Sequence, residues 1–150
     1  MLIIKNASFF EEKKLVQNKH ILLQGSKIKD ISSSLQSLQK KIKAKDHKIK
    51  STEHKIIDAK NQLVIPGFMD VQVNGGAGFH FHENLTEDSA QRILTVHLNA
   101  GTTSLLPTFV TEDLSVLKKN LSFMENLIQQ KQTGIVGVHI EGPFLAKEKK

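Results

Sequence analysis

From residue 61 onward the chain alternates short apolar runs with longer segments of helical period, and few architectures can accommodate that pattern. "QLVIPGFMDVQVNG" reads as a strand. "LTEDSAQRILTVHLNAG" reads as a helix: Thr86 is a candidate N-cap with acids just after it, Ala90, Ile93, Leu94 and His97 recur at helical spacing, and Gly101 is a stop. "TSLLPTFVT" is a second strand. "TEDLSVLKKNLSFMENLIQQK" is a second helix, with Leu114, Leu117, Leu121, Met124, Leu127 and Ile128 on one stripe and Gly134 closing it. "IVGVHIEGPF" is a third strand, apolar until its end, as strands buried on both faces are. Strands that alternate with helices build parallel βαβ units, so the fold class is α/β.

Residues 1–60 are written differently. "MLIIKNASFF", "KHILLQGSKIKDIS" and "HKIIDA" are short β-forming runs around turn residues such as Gly25-Ser26. They predict a small β-unit over 1–60, with a loose, lysine-rich insertion at about 34–54, followed by a separate unit over 61–150. Leu35, Leu38 and Ile42 stand at helical spacing, so part of the insertion could be a short helix.

The 150 residues are 39% hydrophobic and 24% charged, a globular composition with room for a core. No apolar run approaches the ~20 residues that a membrane helix needs. The start, "MLIIKNASFFEEKK", lacks the long apolar segment of a secretory signal, which favours the cytoplasm. With no cysteine there is neither a disulfide framework nor a thiolate site. The net charge is +6, and eight lysines fall between Lys40 and Lys60. That stretch contains no arginine and no aromatic residue to stack on a base. It is expected to be a solvated connection, with neither nucleic acid nor membrane as partner.

In parallel α/β architectures the carboxyl ends of the strands carry the site. Asp70, Gln72 and Asn74 alternate at the end of the first strand. Pro107, Thr108 and Thr111 lie near the end of the second, and His139 and Glu141 at the end of the third. The period of two places Gln72 with Asn74, and His139 with Glu141. Glu141 ends an apolar strand, so its carboxylate is expected to be half-buried. It would then be bound to a cation or salt-bridged to a lysine. His139 could be a ligand, an orienting residue or a satisfied core histidine. His80 and His82 have the spacing of a metal pair but follow the turn Gly75-Gly76-Ala77-Gly78, and are expected to be surface or loop histidines. The glycine run lacks the spacing of a dinucleotide fingerprint and instead lets the chain turn sharply.

"VIPGFMDVQVNGGAGFHF", "NAGTTSLLPTFVT" and "GVHIEGPFLAKEKK", in that order, resemble the first part of the N-acetylglucosamine-6-phosphate deacetylase family of the amidohydrolase superfamily. The resemblance covers residues 55–150 closely and the β-rich start loosely. It implies a small β-unit followed by the first βαβαβ portion of a TIM-like amidohydrolase barrel, incomplete at three strands. Many amidohydrolases end the first barrel strand in His-x-His. This chain resembles the branch with Gln-x-Asn there, which makes Gln72 and Asn74 site-wall residues and poor metal ligands. The implied cofactor is one divalent metal, usually zinc, with Glu141 as a ligand and His139 as a site residue that is not itself a ligand. The implied reaction is hydrolysis of the acetamide of a phosphorylated amino sugar by a homodimeric full-length enzyme. Its catalytic base, two histidine ligands and phosphate-binding residues would lie beyond Lys150, so residues 1–150 are expected to be an inactive portion with no catalytic residue of their own. The other readings are a different amidohydrolase, a non-catalytic truncated remnant, or a basic binding module.

Overall fold

The computed structural model describes residues 1–45, 55–83, 85–130, 134–144, 146 and 148. The chain divides into two compact units, Met1–Pro66 and Gly67–Lys150. In the first unit, β1 (Leu2–Glu11), β2 (Lys14–Gln24), β3 (Lys27–Ser32) and β4 (Lys55–Asp58) form one sheet in the order β3-β2-β1-β4. β1 pairs antiparallel with β2, and β2 with β3, while β4 runs parallel to β1. Glu11 opposite Lys14 closes a two-residue turn whose central residues, Glu12 and Lys13, have φ of 47° and 69°. Positive φ at both positions matches the right-handed twist of a hairpin, although neither residue is the usual glycine or asparagine.

The lysine-rich insertion is not uniformly loose. Its first part is a helix, α1 (Leu35–Lys45), that buries Leu38 and Ile42 against Ile3 and Leu22. Two buried aliphatic side chains contribute about 1.5–3 kcal/mol each, enough to seat a short helix despite its lysines. Residues 46–54 of the predicted insertion lie outside the described residues.

Asp58, at the end of β4, accepts from the Lys60 backbone N–H and the Asn6 side-chain amide, both at 2.9 Å, and pairs with Lys5 at 3.1 Å. These contacts, the Lys60 N–H first, hold its carboxyl down to about 2 from an ordinary 3.8. The folded value lies below the unfolded one, so the contribution is full above the unfolded value and is lost as pH falls through the folded one. The unfolding midpoint of this unit in urea is therefore expected to drop between about pH 4 and pH 2, and Asp58→Asn to flatten that part of the profile. An unchanged profile in the variant would count against the assignment.

Residues 61–64 continue the first unit. Ser8 N donates to Gln62 O at 3.0 Å, and Val64 N to Ser8 O at 2.7 Å. The strand predicted over "QLVIPGFMDVQVNG" is therefore broken at Pro66, which has no N–H to donate to a ladder. In the second unit it begins afresh as β5 (Phe68–Val73). There follow β6 (Gly75–Gly76), β7 (Phe79–His80), α2 (Glu87–Asn99), β8 (Thr102–Phe109), α3 (Leu114–Gln129) and β9 (His139–Ile140). β5, β8 and β9 form a parallel sheet with β8 central and a helix between successive strands, while β6 and β7 pair antiparallel as a separate hairpin.

α2 begins where its sequence says it should. Thr86 Oγ1 accepts from Ser89 N at 3.1 Å, and Ser89 Oγ accepts from Thr86 N at 2.9 Å. This reciprocal capping box satisfies two otherwise unpaired amides. Thr86→Ala is expected to lower stability by about 0.5–2 kcal/mol in a denaturant titration. A change indistinguishable from zero would argue against the cap. The core gathers Ile93 and Leu94 from α2, Met124 and Leu127 from α3, and Leu105 and Phe109 from β8.

Burial on both faces holds only for β8. On β5, Phe68, Met69 and Val71 are 58%, 63% and 59% exposed, because it is an edge strand of this sheet. The third predicted strand shortens to His139–Ile140, with a single earlier bridge from Ile135 to Leu105. Among the described residues no helix is long and apolar enough to cross a membrane.

Candidate functional site

The parallel register levels the carboxyl ends of the three strands. Val73 lies opposite Pro107, and Thr108 opposite His139. At that level Gln72 Nε2 donates to Glu141 Oε2 at 3.3 Å, joining residues 69 apart in sequence. The two side chains come from segments that flank the central strand on opposite sides. The backbone of Glu141 is held independently: its N–H donates to Phe109 O at 2.8 Å, and Thr111 Oγ1 donates to its carbonyl at 3.2 Å. Gly142 follows at φ 128°, where a Cβ would collide with the Thr111 hydroxyl. The chain leaves Glu141 in a conformation that suits glycine.

The expectation of a half-buried Glu141 is corrected, because its side chain is exposed. β9 ends at Ile140 on the edge of the sheet, and Glu141 lies just beyond it. Among the described residues no lysine or arginine pairs with the carboxylate. His139 is half-buried, with Nδ1 3.3 Å from the Oγ1 of the fully buried Thr108. That hydroxyl also lies 3.5 Å from Leu106 O, so the ring is anchored to the centre of the sheet. Asn74 is exposed, and its carbonyl accepts from Phe81 N at 2.9 Å. The structure thus brings Gln72 and Glu141 together and orients His139 through Thr108. No described hydrogen bond links Asn74 to that pair.

His80 ends the short strand β7 and is exposed, and His82 follows it outside any strand or helix, half-buried. Their rings stand 5.2 Å apart, and His82 Nε2 is 3.4 Å from Glu83 Oε1. Among the described residues no group of three or more His, Asp or Glu side chains is arranged to hold a metal. Two participants escaped the sequence pattern. In the sequence Thr108 is only a polar residue near a strand end, and His97 is one more residue at helical spacing on α2. The structure instead joins His97 Nε2 to Gly75 O at 3.1 Å.

No family model matches the chain. Over 87 residues it is 36% identical to the N-acetylgalactosamine-6-phosphate deacetylase of Shewanella sp. (strain ANA-3), which covers 58% of this chain and 22% of that protein. Over 94 residues it is 33% identical to the N-acetylglucosamine-6-phosphate deacetylase of Haemophilus influenzae, 63% and 25% of the two chains. The crystal structure of N-acetylglucosamine-6-phosphate deacetylase from Pasteurella multocida superposes with a TM-score of 0.77 at 26% identity, over 98% of this chain and 35% of that one. This chain resembles the N-acetylglucosamine-6-phosphate deacetylases. It spans about a quarter of the length of these curated deacetylase relatives.

Proposed function

We propose that the whole protein is a deacetylase of N-acetylglucosamine 6-phosphate. Water adds to the acetyl carbon, the amide C–N bond breaks, and acetate and glucosamine 6-phosphate leave. The observation that carries this reading is the Gln72–Glu141 contact. Two residues that the resemblance assigns to one site, from strands remote in sequence, meet within hydrogen-bonding distance at the carboxyl end of a parallel sheet. The relatives' names support the reaction, and the alternation of strands and helices supports an opening portion of an amidohydrolase barrel.

A divalent ion, usually zinc in the resembling family, would polarise the acetyl carbonyl and activate water. The described residues do not by themselves fit such an ion. Glu141 is one carboxylate, Gln72 offers a neutral carboxamide, and His139 has only the ring nitrogen not taken up by Thr108, whereas a bound zinc takes about four donors. What the chain's own residues supply is orientation. Gln72 holds one oxygen of Glu141 and leaves its own amide oxygen to accept from a substrate N–H or O–H. His139, fixed by Thr108, lines the same level. The partners in this reading are a phosphorylated amino sugar and a second copy of the whole protein in the cytoplasm.

Acetate release by the purified whole protein tests the reading. Turnover of N-acetylglucosamine 6-phosphate is expected, and none from residues 1–150 alone. A second substrate belongs in the same assay: the Shewanella relative is named for N-acetylgalactosamine 6-phosphate, which differs only in the configuration at one ring carbon. Faster turnover of that epimer would reassign the sugar. No release from either would overturn the reaction.

A further inference from the structure

The segment that leaves β5 is a tight hairpin, and α2 pins it. Phe81, itself fully buried, donates its N–H to Asn74 O at 2.9 Å, while Gly75 pairs with His80 and Gly76 with Phe79. A Cβ on Gly75 would run into the Phe79 carbonyl oxygen and come within 2.9 Å of His80 Cα. A Cβ on Gly76 would lie 2.9 Å from Val96 Cγ1 and 3.3 Å from His97 Nε2. The two glycines are thus the places where the hairpin backbone lies against its own return strand and against α2. His97 Nε2 stands 3.1 Å from Gly75 O at the point of closest approach. A carbonyl oxygen only accepts, so Nε2 carries the hydrogen and donates it.

We infer that His97 is a positioning residue for the Gln72–Asn74 rim, because its Nε2–H fixes the carbonyl of the residue that follows Asn74. The peptide planes on the far side of Asn74 are then held twice, by Phe81 at its own carbonyl and by His97 at the next one. Val73, 3% exposed, anchors the near side. With both flanks held, the direction in which Asn74 leaves the backbone is set by the fold before any ligand arrives. That the rim is a deacetylase site rests on the reading above. That His97 holds it does not.

The test is amide hydrogen exchange on the isotopically labelled whole protein. His97→Asn keeps helix propensity about the same but is too short to reach Gly75 O, while His97→Gln restores a side-chain N–H at longer reach. His97→Asn is expected to speed exchange at the Phe81 amide about tenfold and to leave Leu105, whose N–H donates to Gly134 O at 2.7 Å, at its parent rate. His97→Gln is expected to return Phe81 to within about threefold of the parent. An unchanged Phe81 rate, equal acceleration at Leu105, or failure of glutamine to rescue would each overturn the inference. No metal or substrate enters these measurements, so this inference and the deacetylase reading can fail separately.

Discussion

Phe81→Ala is expected to lower the stability of the Gly67–Lys150 unit by about 3–5 kcal/mol, the cost of emptying a fully packed aromatic site. Phe81 is 0% exposed and belongs to the same buried cluster as Val73, Ile93 and Phe109. It sits just past β7, in neither helix nor strand, so its contribution comes from side-chain packing and from the one amide that closes the hairpin on Asn74. A domain of ordinary stability has only about 5–15 kcal/mol in total, so the variant should stand at or near the edge of unfolding. The chain has no tryptophan or tyrosine, so urea unfolding is best followed by far-ultraviolet circular dichroism. Phe144→Ala is the control. It removes an equal ring that is 82% exposed, and its effect should stay within about 0.5 kcal/mol. A loss under about 1 kcal/mol at Phe81 would mean that the site collapses around the missing ring and that the core is not organised on it.

Glu141→Gln in the whole protein is expected to reduce acetate release by more than about 100-fold, and Gln72→Leu by about 10–100-fold, as for a residue that orients a charged one. Glu141→Gln keeps the shape and removes the charge, and Gln72→Leu keeps the volume and removes the amide that lies 3.3 Å from the carboxylate. Both side chains are exposed, so neither change should alter the unfolding free energy by more than about 0.5 kcal/mol. That separation of activity from stability distinguishes a site from a fold support. If Glu141→Gln kept a large part of the activity, the assignment of this carboxylate would fail. If the double variant lost the product of the two single effects, Gln72 would not be acting through Glu141.

Much of the second unit is written in local pattern. The stripe Ala90, Ile93 and Leu94, opened by Thr86 and followed by Gly101 at φ 95°, is a helix for reasons contained in its own residues. The stripe of α3 is equally plain, although Asp113 at its start makes no side-chain cap bond. The first unit was less legible. α1 hides two buried residues among lysines, and the Glu12-Lys13 turn has no glycine to announce it. Strand length was legible least of all. Ladder pairing, rather than apolar content, decided that the third strand is His139–Ile140 and that β5 starts only after Pro66.

The amino-acid order by itself determined the helices of the second unit, the parallel alternation and the polar residues at the strand ends, because periodicity, capping and turn chemistry act over a few neighbouring residues. Tertiary structure alone decided that Gln72 meets Glu141, that Thr108 turns His139, and that His97 reaches back to Gly75. Each of those contacts depends on strand order and register, which arise only when segments far apart in the chain bury one another.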